Sequence, residues 1–594
     1  EEMPSIYEKT ATADIRVEPF LQKLVAHVRE NMVVSEHEKK LDSGTTKTTL
    51  WMIKAFRTWL ENKMEMSIED RDDDGGDEED EKAAPTVGLL NNNGVTALCL
   101  ELIAPGIDET LQSEVVKLMV GLLFKEGGAR DVQQKVHECL TGVESVLFFK
   151  QVRITLQKLI AWHQWHGVVV VPEGEDPETP DDIIIVRMLQ LLCEGHYLPN
   201  QDIMREQPKN VLSVNLLDDL VQYFNVLSRI PCLTSTMAAD AVGNTIVEVI
   251  QGPCTGNQHH FALNTELLET MNRVLRAKSI NDCDDEAEEE LKKCCVDAIS
   301  ALLEGQKPSD QVTIRILSVI HLDIVQYLAT PKEILEATAE GDLDEEPEEE
   351  EEEGGEKKEE EEEEEEEGGE SLQTDCVVLL QSLCDYKPSI REEIEADGDG
   401  LFDFETAGKS TASIEVNWNG VLNRRFFHIP AVCDLLSKPS KDRLVQDVDR
   451  SNSENKLLDF LYRAQHLYLE IKHQEDLKKL GIASVFSPDV HNAATWFTFC
   501  CSIVINVLFL VYYDASEGDP TIPGNIRNAI SGLNYVQITV SVFTIILTFV
   551  VRSPVIFRGH EKEGNGLYTS ILYTATDPMT LYYIWYLLFA CLGA

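Results

Sequence analysis

The chain has 594 residues, of which 105 are acidic and 51 basic, and its formal net charge is −54. That charge argues against nucleic acid as a partner, because no basic stripe is present to neutralise phosphates. The long polar part, about 490 residues, has room for three or four domains or for one repeat array. We find no P-loop, nucleophile-elbow or zinc-protease motif in it, and the sequence therefore predicts that the protein is not an enzyme.

The first 330 residues predict helices in series. Apolar residues recur at helical spacing in several runs, for example at Ile185, Met188, Leu189 and Leu192, and strand-type alternation is almost absent. Helices of this length with short polar joints predict a mainly α fold, an armadillo-like helical solenoid. We find no strict sequence repeat, so the expectation concerns architecture only.

Fourteen cysteines are scattered through these helical patterns without a CxxC pair. The adjacent pairs Cys294–Cys295 and Cys500–Cys501 are not the spacing of a disulfide framework. We therefore expect reduced thiols that pack as small apolar side chains, as in cytosolic proteins.

Three segments predict no regular structure. Residues 69–82 form a charged linker, residues 167–182 a proline-containing loop, and residues 340–370 a tract that is almost entirely Glu. Like-charge repulsion and the lack of apolar residues predict that the Glu tract is a solvated spacer between two helices.

Residues 395–406 resemble a calcium-binding loop in part. Glu395, Asp399, Gly400 and Asp403 occupy plausible positions, but the twelfth position, where an EF-hand requires a bidentate Glu, is Thr406. An acidic turn is the preferred interpretation.

His163 and His166 have a spacing that could bind a metal from one helical face. No Cys or carboxylate is placed to complete a tetrahedral site, so aromatic packing is the preferred interpretation.

The period of the sequence changes after residue 410. Residues 413–418 and 424–429 are β-like and flank Asn419-Gly420, a strong hairpin signal. Helices are expected at 432–436 and 456–477, the second leading toward the membrane. We expect this hairpin-plus-helix module to transmit conformational change, and we name as its coupling residues Trp418, Arg424, Phe426 and Pro430.

Two long runs without a charged residue predict transmembrane helices, Ala493–Tyr513 and Ala529–Val551. Crossing a hydrocarbon core of ~30 Å takes about 20 such residues. A third apolar run covers 580–594 and predicts the start of another span. The basic residues that flank the spans favour a cytosolic long N-terminal part; they are Lys478, Lys479, Arg552, Arg558 and Lys562.

Two helix ends are candidate cation sites. Gly252 and Pro253 stop a helix whose last turn carries Glu248, and Glu194 follows the apolar run that ends at Cys193. A carboxylate beside helix C-terminal carbonyls makes an oxygen-rich corner, which suits Ca²⁺. Ordinary exposed helix-end acids are the alternative.

Several strings resemble intracellular calcium-release channels, the inositol trisphosphate and ryanodine receptors. Residues 186–196 and 250–258 resemble a region that both families share. Other stretches resemble the inositol trisphosphate receptors in particular: 92–96, 133–135, 148–150, 413–416, 428–436, 456–462 and Trp496. A ryanodine receptor, which would have a much longer insert before the first span, and a non-conducting membrane-anchored scaffold are the alternatives.

The resemblance implies a homotetrameric channel of the endoplasmic reticulum membrane that releases Ca²⁺ when inositol trisphosphate binds to a region outside this chain. It implies regulation by cytosolic Ca²⁺, with Glu194 and Glu248 matching the two carboxylates of the family's regulatory site and a third ligand, a backbone carbonyl, outside this chain. It implies a pore, filter and gate beyond residue 594. Gln474, Glu475 and Asp476 stand where the family has basic residues that hold adenine nucleotide, which makes ATP binding uncertain.

The predicted organisation has six parts: 1–84, N-terminal helices and acidic linker; 85–339, helical solenoid; 340–370, Glu-rich insert; 371–409, helical continuation; 410–490, coupling module; and 491–594, transmembrane domain with two complete spans and the start of a third.

Overall fold

We describe a computed structural model of the chain. Its described residues are 17–64, 77–125, 127–142, 145–166, 180–230, 232–277, 285–330, 372–396, 404, 410–418, 421–436, 438–449, 453–479, 488–512, 522–551, 553–562 and 567–593. The predicted Glu tract and nearly all of the calcium-like loop therefore lie outside the described residues. Two units divide the chain, Glu1–His428 and Ile429–Ala594.

The elements of the first unit are almost all helical. In chain order they are α1 (Val17–Glu30), β1 (Val33–Val34), β2 (Lys39–Lys40), α2 (Ser43–Met64), α3 (Asp77–Asn92), α4 (Val95–Leu102), α5 (Glu109–Leu123), α6 (Arg130–Leu140), α7 (Val146–His166), a 3-10 turn (Asp181–Ile183), α8 (Ile184–Cys193), α9 (Leu198–Arg205), α10 (Leu216–Leu227), α11 (Leu233–Ile250), α12 (Thr255–Asn264), α13 (Leu267–Arg276), α14 (Asp285–Leu303), α15 (Gln311–Val319), α16 (Leu322–Ala329), α17 (Leu372–Tyr386), α18 (Ser389–Ala396), β3 (Thr411–Trp418) and β4 (Val421–His428).

These helices form a solenoid of three-helix repeats. Helices α2, α5, α8, α11, α14 and α17 pack one on the next in a continuous row. A second row contains α6, α9, α12 and α15, and a third contains α7, α10, α13 and α16. Each repeat buries its apolar face against its neighbours, which is the stabilising principle of repeat proteins. The prediction of a helical solenoid is therefore confirmed.

The helical periodicity reflects this stacking. In α8 the side chains of Ile185, Met188, Leu189 and Leu192 are buried at the spacing that places them on one face. Helix boundaries follow local chemistry as well, since the Asp108 carboxylate accepts a hydrogen bond from the Leu111 N–H and caps α5.

The charged linker predicted at 69–82 is shorter than expected. Helix α3 begins at Asp77, so the last six residues of that segment are helical. Acidic side chains are favourable in the first turn of a helix because they complement the helix dipole. The prediction of a linker was therefore wrong for residues 77–82.

The buried cysteines behave as small apolar side chains, as predicted. Cys99, Cys193, Cys294, Cys295 and Cys376 are buried, and the described cysteines are all free thiols. Burial raises the pKa of the Cys99 thiol to about 12. Such thiols are protonated and unreactive while the solenoid is folded.

The predicted hairpin is present and closes the first unit. Strands β3 and β4 pair antiparallel in a register that runs from Thr411 opposite His428 to Trp418 opposite Val421. Strand β4 packs on α17, and the Gln381 Nε2 of that helix donates to Thr411 Oγ1 at 2.7 Å.

The second unit contains a 3-10 turn (Ala431–Leu435), α19 (Lys438–Asp447), α20 (Ser453–Lys479), α21 (Pro488–Tyr512), α22 (Gly524–Val551), α23 (Ser553–Lys562), α24 (Leu567–Ala575) and α25 (Pro578–Gly593). Helix α20 packs on the 3-10 turn, on α19 and on α23, while α22 packs on both α21 and α25.

Among the residues that the structure describes, two helices are long and apolar enough to cross a membrane, and they coincide with the two predicted spans. The first covers Ala493–Tyr512, and only 11% of its most apolar window is buried; the second begins at Gly524. Helix α21 presents large apolar side chains outward along its whole length, including Phe497, Val504 and Leu510. Surfaces of this kind are stable against lipid tails rather than water. The third apolar run forms α25.

Candidate functional site

The ends of α8 and α11 lie against each other, as the interpretation of Glu194 and Glu248 requires. Gly252 follows α11 with φ +98°, and a Cβ on it would lie 2.5 Å from His196 Cβ, two residues after Glu194. Gly195 has φ +65°, and its backbone packs directly on Gly127. Both positions need glycine, because the backbone is left-handed and a neighbouring turn occupies the space of a side chain. The turns of successive repeats are therefore stacked.

Both carboxylates lie close to one buried thiol. Burial raises the pKa of Cys193 well above its ordinary value of 9.0, and the nearby Glu248 and Glu194 raise it further. Glu194 is the residue at which α8 ends, and Glu248 is in the last turn of α11; both are half-buried. The two glutamates thus stand at stacked helix ends near the same buried thiol. A cation that bound both carboxylates would be stabilised by their charge.

The carbonyls at this corner have partners within the solenoid. Gln201 Nε2 donates to Glu248 O at 2.7 Å and to Gln251 O at 2.8 Å. Gln133 Nε2 donates to Leu191 O at 3.1 Å and to Glu194 O at 2.9 Å. The sequence interpretation placed helix-end carbonyls beside a cation, and the structure adds that these carbonyls each accept an amide hydrogen bond, which leaves one lone pair on each oxygen. The carboxylates are the principal ligands that this chain offers.

These amides belong to a series of buried glutamines that the sequence analysis missed, Gln133, Gln201 and Gln258, which we call the amide ladder. Gln258 Nε2 donates to Ala301 O at 2.8 Å and to Glu304 O at 3.0 Å, and so binds the carbonyls at the end of α14. Gln201 binds those at the end of α11 in the same way, and Gln133 those at the end of α8. The last carbonyls of a helix have no partner within the helix, and here a buried amide from the preceding repeat supplies one. The three glutamines are at most 1% exposed.

Asparagine side chains next to these glutamines add further hydrogen bonds to the amide ladder. Asn200 Nδ2 donates to Leu192 O at 2.9 Å, and Asn257 Nδ2 donates to Val249 O and Gln201 O, both at 2.9 Å. A sequence signal for the ladder exists, because the pair Asn-Gln recurs at 200–201 and 257–258, in each case six residues after a helix-ending residue, Glu194 or Gln251. A weak repeat in the sequence, the Asn-Gln pair, therefore accompanies the three-helix repeat of the structure.

The two carboxylates do not form a complete metal site by themselves. Among the residues that the structure describes, no group of three or more His, Cys, Asp or Glu side chains could hold a metal ion. Ca²⁺ takes six to eight oxygen ligands. The residues present fit part of a Ca²⁺ shell, and the remainder would come from outside this group.

His163 packs in an aromatic environment, as predicted. It is 2% exposed, its Nδ1 lies 3.0 Å from Leu159 O and 3.2 Å from the Tyr223 hydroxyl, and its ring contacts Trp162. No metal-binding role follows from this arrangement.

The four predicted coupling residues fall on the two sides of the unit boundary. Trp418, Arg424 and Phe426 belong to the hairpin, whereas Pro430 opens the second unit. Arg424 lies 3.4 Å from Glu415 across the hairpin and 3.6 Å from Asp385 on α17. Phe426 is half-buried, and Pro430 caps the 3-10 turn.

Within the second unit, α20 contacts the end of the second apolar helix, α22, and the helix that follows it, α23. His473 Nε2 lies 2.8 Å from Val550 O, and Asp476 pairs with Arg558 at 3.8 Å. Gln474, part of the segment where the resemblance implies nucleotide contacts, is buried.

Residues 182–275 match a protein-family model described as "RyR and IP3R Homology associated". The match spans α8 to α13, two repeats of the solenoid, and includes Glu194, Glu248 and most of the amide ladder. It supports membership of the ryanodine and inositol trisphosphate receptor family, whose members are channels and not enzymes. The match does not distinguish the two receptor types.

Proposed function

We propose that this chain is the regulatory and membrane-coupling portion of an inositol trisphosphate-gated Ca²⁺ channel of the endoplasmic reticulum. The family match supports a calcium-release channel. The additional strings at 92–96, 133–135 and 428–436 favour the inositol trisphosphate type over the ryanodine type. The partners in this proposal are identical subunits in a tetramer, the lipid bilayer, and inositol trisphosphate bound by another region of the receptor.

The observation that carries the regulatory part of the proposal is the packing of the turn after α11 on the turn after α8, where Gly252 meets His196; Glu248 and Glu194 stand at these two helix ends. Ca²⁺ bound by both carboxylates would join the helix ends of two successive repeats, and its remaining ligands would come from outside the solenoid. A ligand that binds one arrangement of the channel more tightly shifts its gating equilibrium toward that arrangement.

The hairpin provides a route from this corner toward the membrane helices. Helices α11, α14 and α17 pack in series, and β4 packs on α17. The chain continues from His428 into the second unit, where α20 contacts Val550 through His473. A shift of the solenoid would thus reach the hairpin through packed elements and the second unit through the backbone.

The test is a single-channel recording of the full-length tetramer in planar bilayers with inositol trisphosphate present. Glu248→Gln and Glu194→Gln keep the side-chain shape and remove one charge, and each should shift Ca²⁺ activation to concentrations about tenfold higher or more. Glu206→Gln is the matched control, since Glu206 is an exposed acid at the end of the neighbouring α9. Its activation curve should coincide with that of the wild type.

Each alternative gives a different result. Unchanged Ca²⁺ dependence in both glutamate variants contradicts the site, even if the channel conducts. A channel that inositol trisphosphate fails to open, but that ryanodine modifies, supports the second receptor type. The absence of any current from a correctly assembled tetramer supports a non-conducting scaffold.

A further inference from the structure

The turn after α14 continues the stack of helix ends beyond Glu248. Glu304 follows the last residue of α14, and its Oε2 accepts a hydrogen bond from the Gly252 N–H at 3.1 Å. The next residue, Gly305, has φ +72°, and a Cβ on it would lie 2.8 Å from Pro253 Cγ. Gly252 and Pro253 form the turn after α11, whose last turn carries Glu248. Two contacts therefore hold the turn after α14 against the turn that follows Glu248.

Tyr386, the last residue of α17, makes the next link. Its hydroxyl donates to Leu303 O at 2.9 Å, and Leu303 is the residue immediately before Glu304. Burial raises the pKa of the Tyr386 hydroxyl; the charges of Asp385 and Glu304 raise it further, whereas that of Arg425 lowers it. The hydroxyl therefore stays protonated at neutral pH and remains a donor. The end of α14 is thus tied to α11 on one side and to α17 on the other.

The end of α17 is joined in turn to both strands of the hairpin. Asp385 lies 3.6 Å from Arg424 Nη1 on β4, and Gln381 Nε2 donates to Thr411 Oγ1 on β3 at 2.7 Å. An exposed ion pair adds little to stability by itself, but β4 also packs on α17 along its length. A displacement of α17 would therefore displace the hairpin with it.

These links run in a different direction from the amide ladder. Gln201 and Gln258 belong to the second row of helices and bind carbonyls of the first row. Glu304 and Tyr386 instead join successive members of the first row, α11 to α14 and α14 to α17. Their hydrogen bonds lead along the solenoid from the turn beside Glu248 to the hairpin. Packed elements joined by hydrogen bonds can carry energetic coupling between distant sites.

We propose that Glu304 and Tyr386 are positioning residues that transmit a Ca²⁺-dependent shift of the turn after α11 to the hairpin. This inference rests on the proposed function, which places Ca²⁺ at Glu194 and Glu248. A shift of Gly252 displaces the Glu304 carboxylate and the end of α14, and the Tyr386 hydroxyl passes the displacement to α17. Glu304 acts here as a hydrogen-bond acceptor and not as a ligand of the ion.

The test separates Ca²⁺ binding from gating in the purified full-length tetramer. Equilibrium binding of radioactive Ca²⁺, measured without inositol trisphosphate, reports occupancy of the closed channel. Recordings in planar bilayers at saturating Ca²⁺, with inositol trisphosphate present, report the ratio of open to closed channels. Tyr386→Phe and Glu304→Leu should each lower that ratio about three- to tenfold, the equivalent of one hydrogen bond. The midpoint of Ca²⁺ binding should stay within about twofold of the wild type.

Two control variants identify the chemistry that is needed. Glu304→Gln removes the charge but keeps an oxygen that accepts from Gly252 N–H, so its gating should match the wild type. Tyr327→Phe is the matched control for the tyrosine, because Tyr327 on α16 is 51% exposed and no described residue hydrogen-bonds to its hydroxyl. Its gating should also be unchanged. The double variant Glu304→Leu/Tyr386→Phe should lose no more than the larger single loss, since both residues act in one series.

Four results would overturn the proposal: wild-type gating in both single variants, equal losses in Glu304→Gln and Glu304→Leu, losses that multiply in the double variant, or a loss of Ca²⁺ occupancy that matches the loss of gating. Glu248→Gln in the same experiments separates this inference from the proposed function. Retained Ca²⁺ activation in Glu248→Gln contradicts the proposed function. Impaired activation there, together with wild-type gating in the Glu304→Leu and Tyr386→Phe variants, contradicts only this inference.

Discussion

Replacing Gln201 by Leu tests whether the amide ladder holds the ends of α8 and α11 together. The side chain is 1% exposed, and its Nε2 donates to two buried carbonyls, Glu248 O and Gln251 O. Leucine fills nearly the same space but donates no hydrogen bond. Both carbonyls would then lose their amide partner at a site closed to water.

The magnitude follows from those two hydrogen bonds. A buried carbonyl without a partner costs about 1–3 kcal/mol, so two cost about 2–6 kcal/mol. The more apolar leucine side chain recovers part of this, on the order of 1–2 kcal/mol. We therefore expect local destabilisation of about 1–4 kcal/mol at the end of α11.

Cys193 provides the assay, because it is fully buried beside this corner. A thiol reagent labels it only when the corner opens, and at about 1.4 kcal/mol per factor of ten the labelling rate should rise about 5- to 900-fold. Cys376 on α17 serves as an internal reference for global unfolding. Gln134→Leu is the matched control, because Gln134 is exposed and its only described side-chain hydrogen bond is a 3.4 Å contact with Glu138.

The labelling rate of Cys193 in Gln134→Leu should stay within about twofold of the wild type, the range expected of surface substitutions. Equal rates in Gln201→Leu and Gln134→Leu would refute the structural role of the ladder. A parallel rise at Cys376 would show that the whole solenoid, not the corner, had been destabilised.

Two further predictions concern the same helices. Burial and the nearby Glu290 raise the pKa of Asp240 from 3.8 to about 6, so its contribution to stability is complete below pH 3.8 and is lost as pH rises through 6. Asp240→Asn should therefore stabilise the protein by about 1–3 kcal/mol at pH 8 and by little at pH 4. An equal difference in Tm between variant and wild type at the two pH values would contradict this reasoning. Gly252→Ala should lower the free energy of unfolding by about 1–3 kcal/mol, because φ is +98° and the new Cβ meets His196. Gly88→Ala in α3 is the control: its position has open space around it, so the change should be neutral or stabilising by up to about 1 kcal/mol. Equal Tm shifts in the two variants would be inconsistent with the described turn.

The candidate site was predictable only in part. Glu194 and Glu248 could be placed at helix ends because Gly195, Gly252 and Pro253 are local stop signals. Their meeting depends on the stacking of two repeats whose corners are more than fifty residues apart. The binding of Ca²⁺ at this corner stays a prediction, and the amide hydrogen bonds that its carbonyls accept from Gln133 and Gln201 were not visible in the sequence.

The sequence by itself determined the features that depend on nearby residues. Uncharged runs of about 20 residues determine membrane-crossing helices, periodic apolar residues determine the solenoid helices, and Asn419-Gly420 between two β-like runs determines the hairpin. Each of these depends on the local composition or period of the chain, which is visible without knowledge of the fold.

The tertiary structure decided which distant groups meet. Buried amides such as Gln201 appear in the sequence as ordinary polar residues, and their role follows from hydrogen bonds to carbonyls 47 and 50 positions away. Hydrogen bonds act over about 3 Å, so their partners are fixed only when packing brings separate repeats and helices into contact.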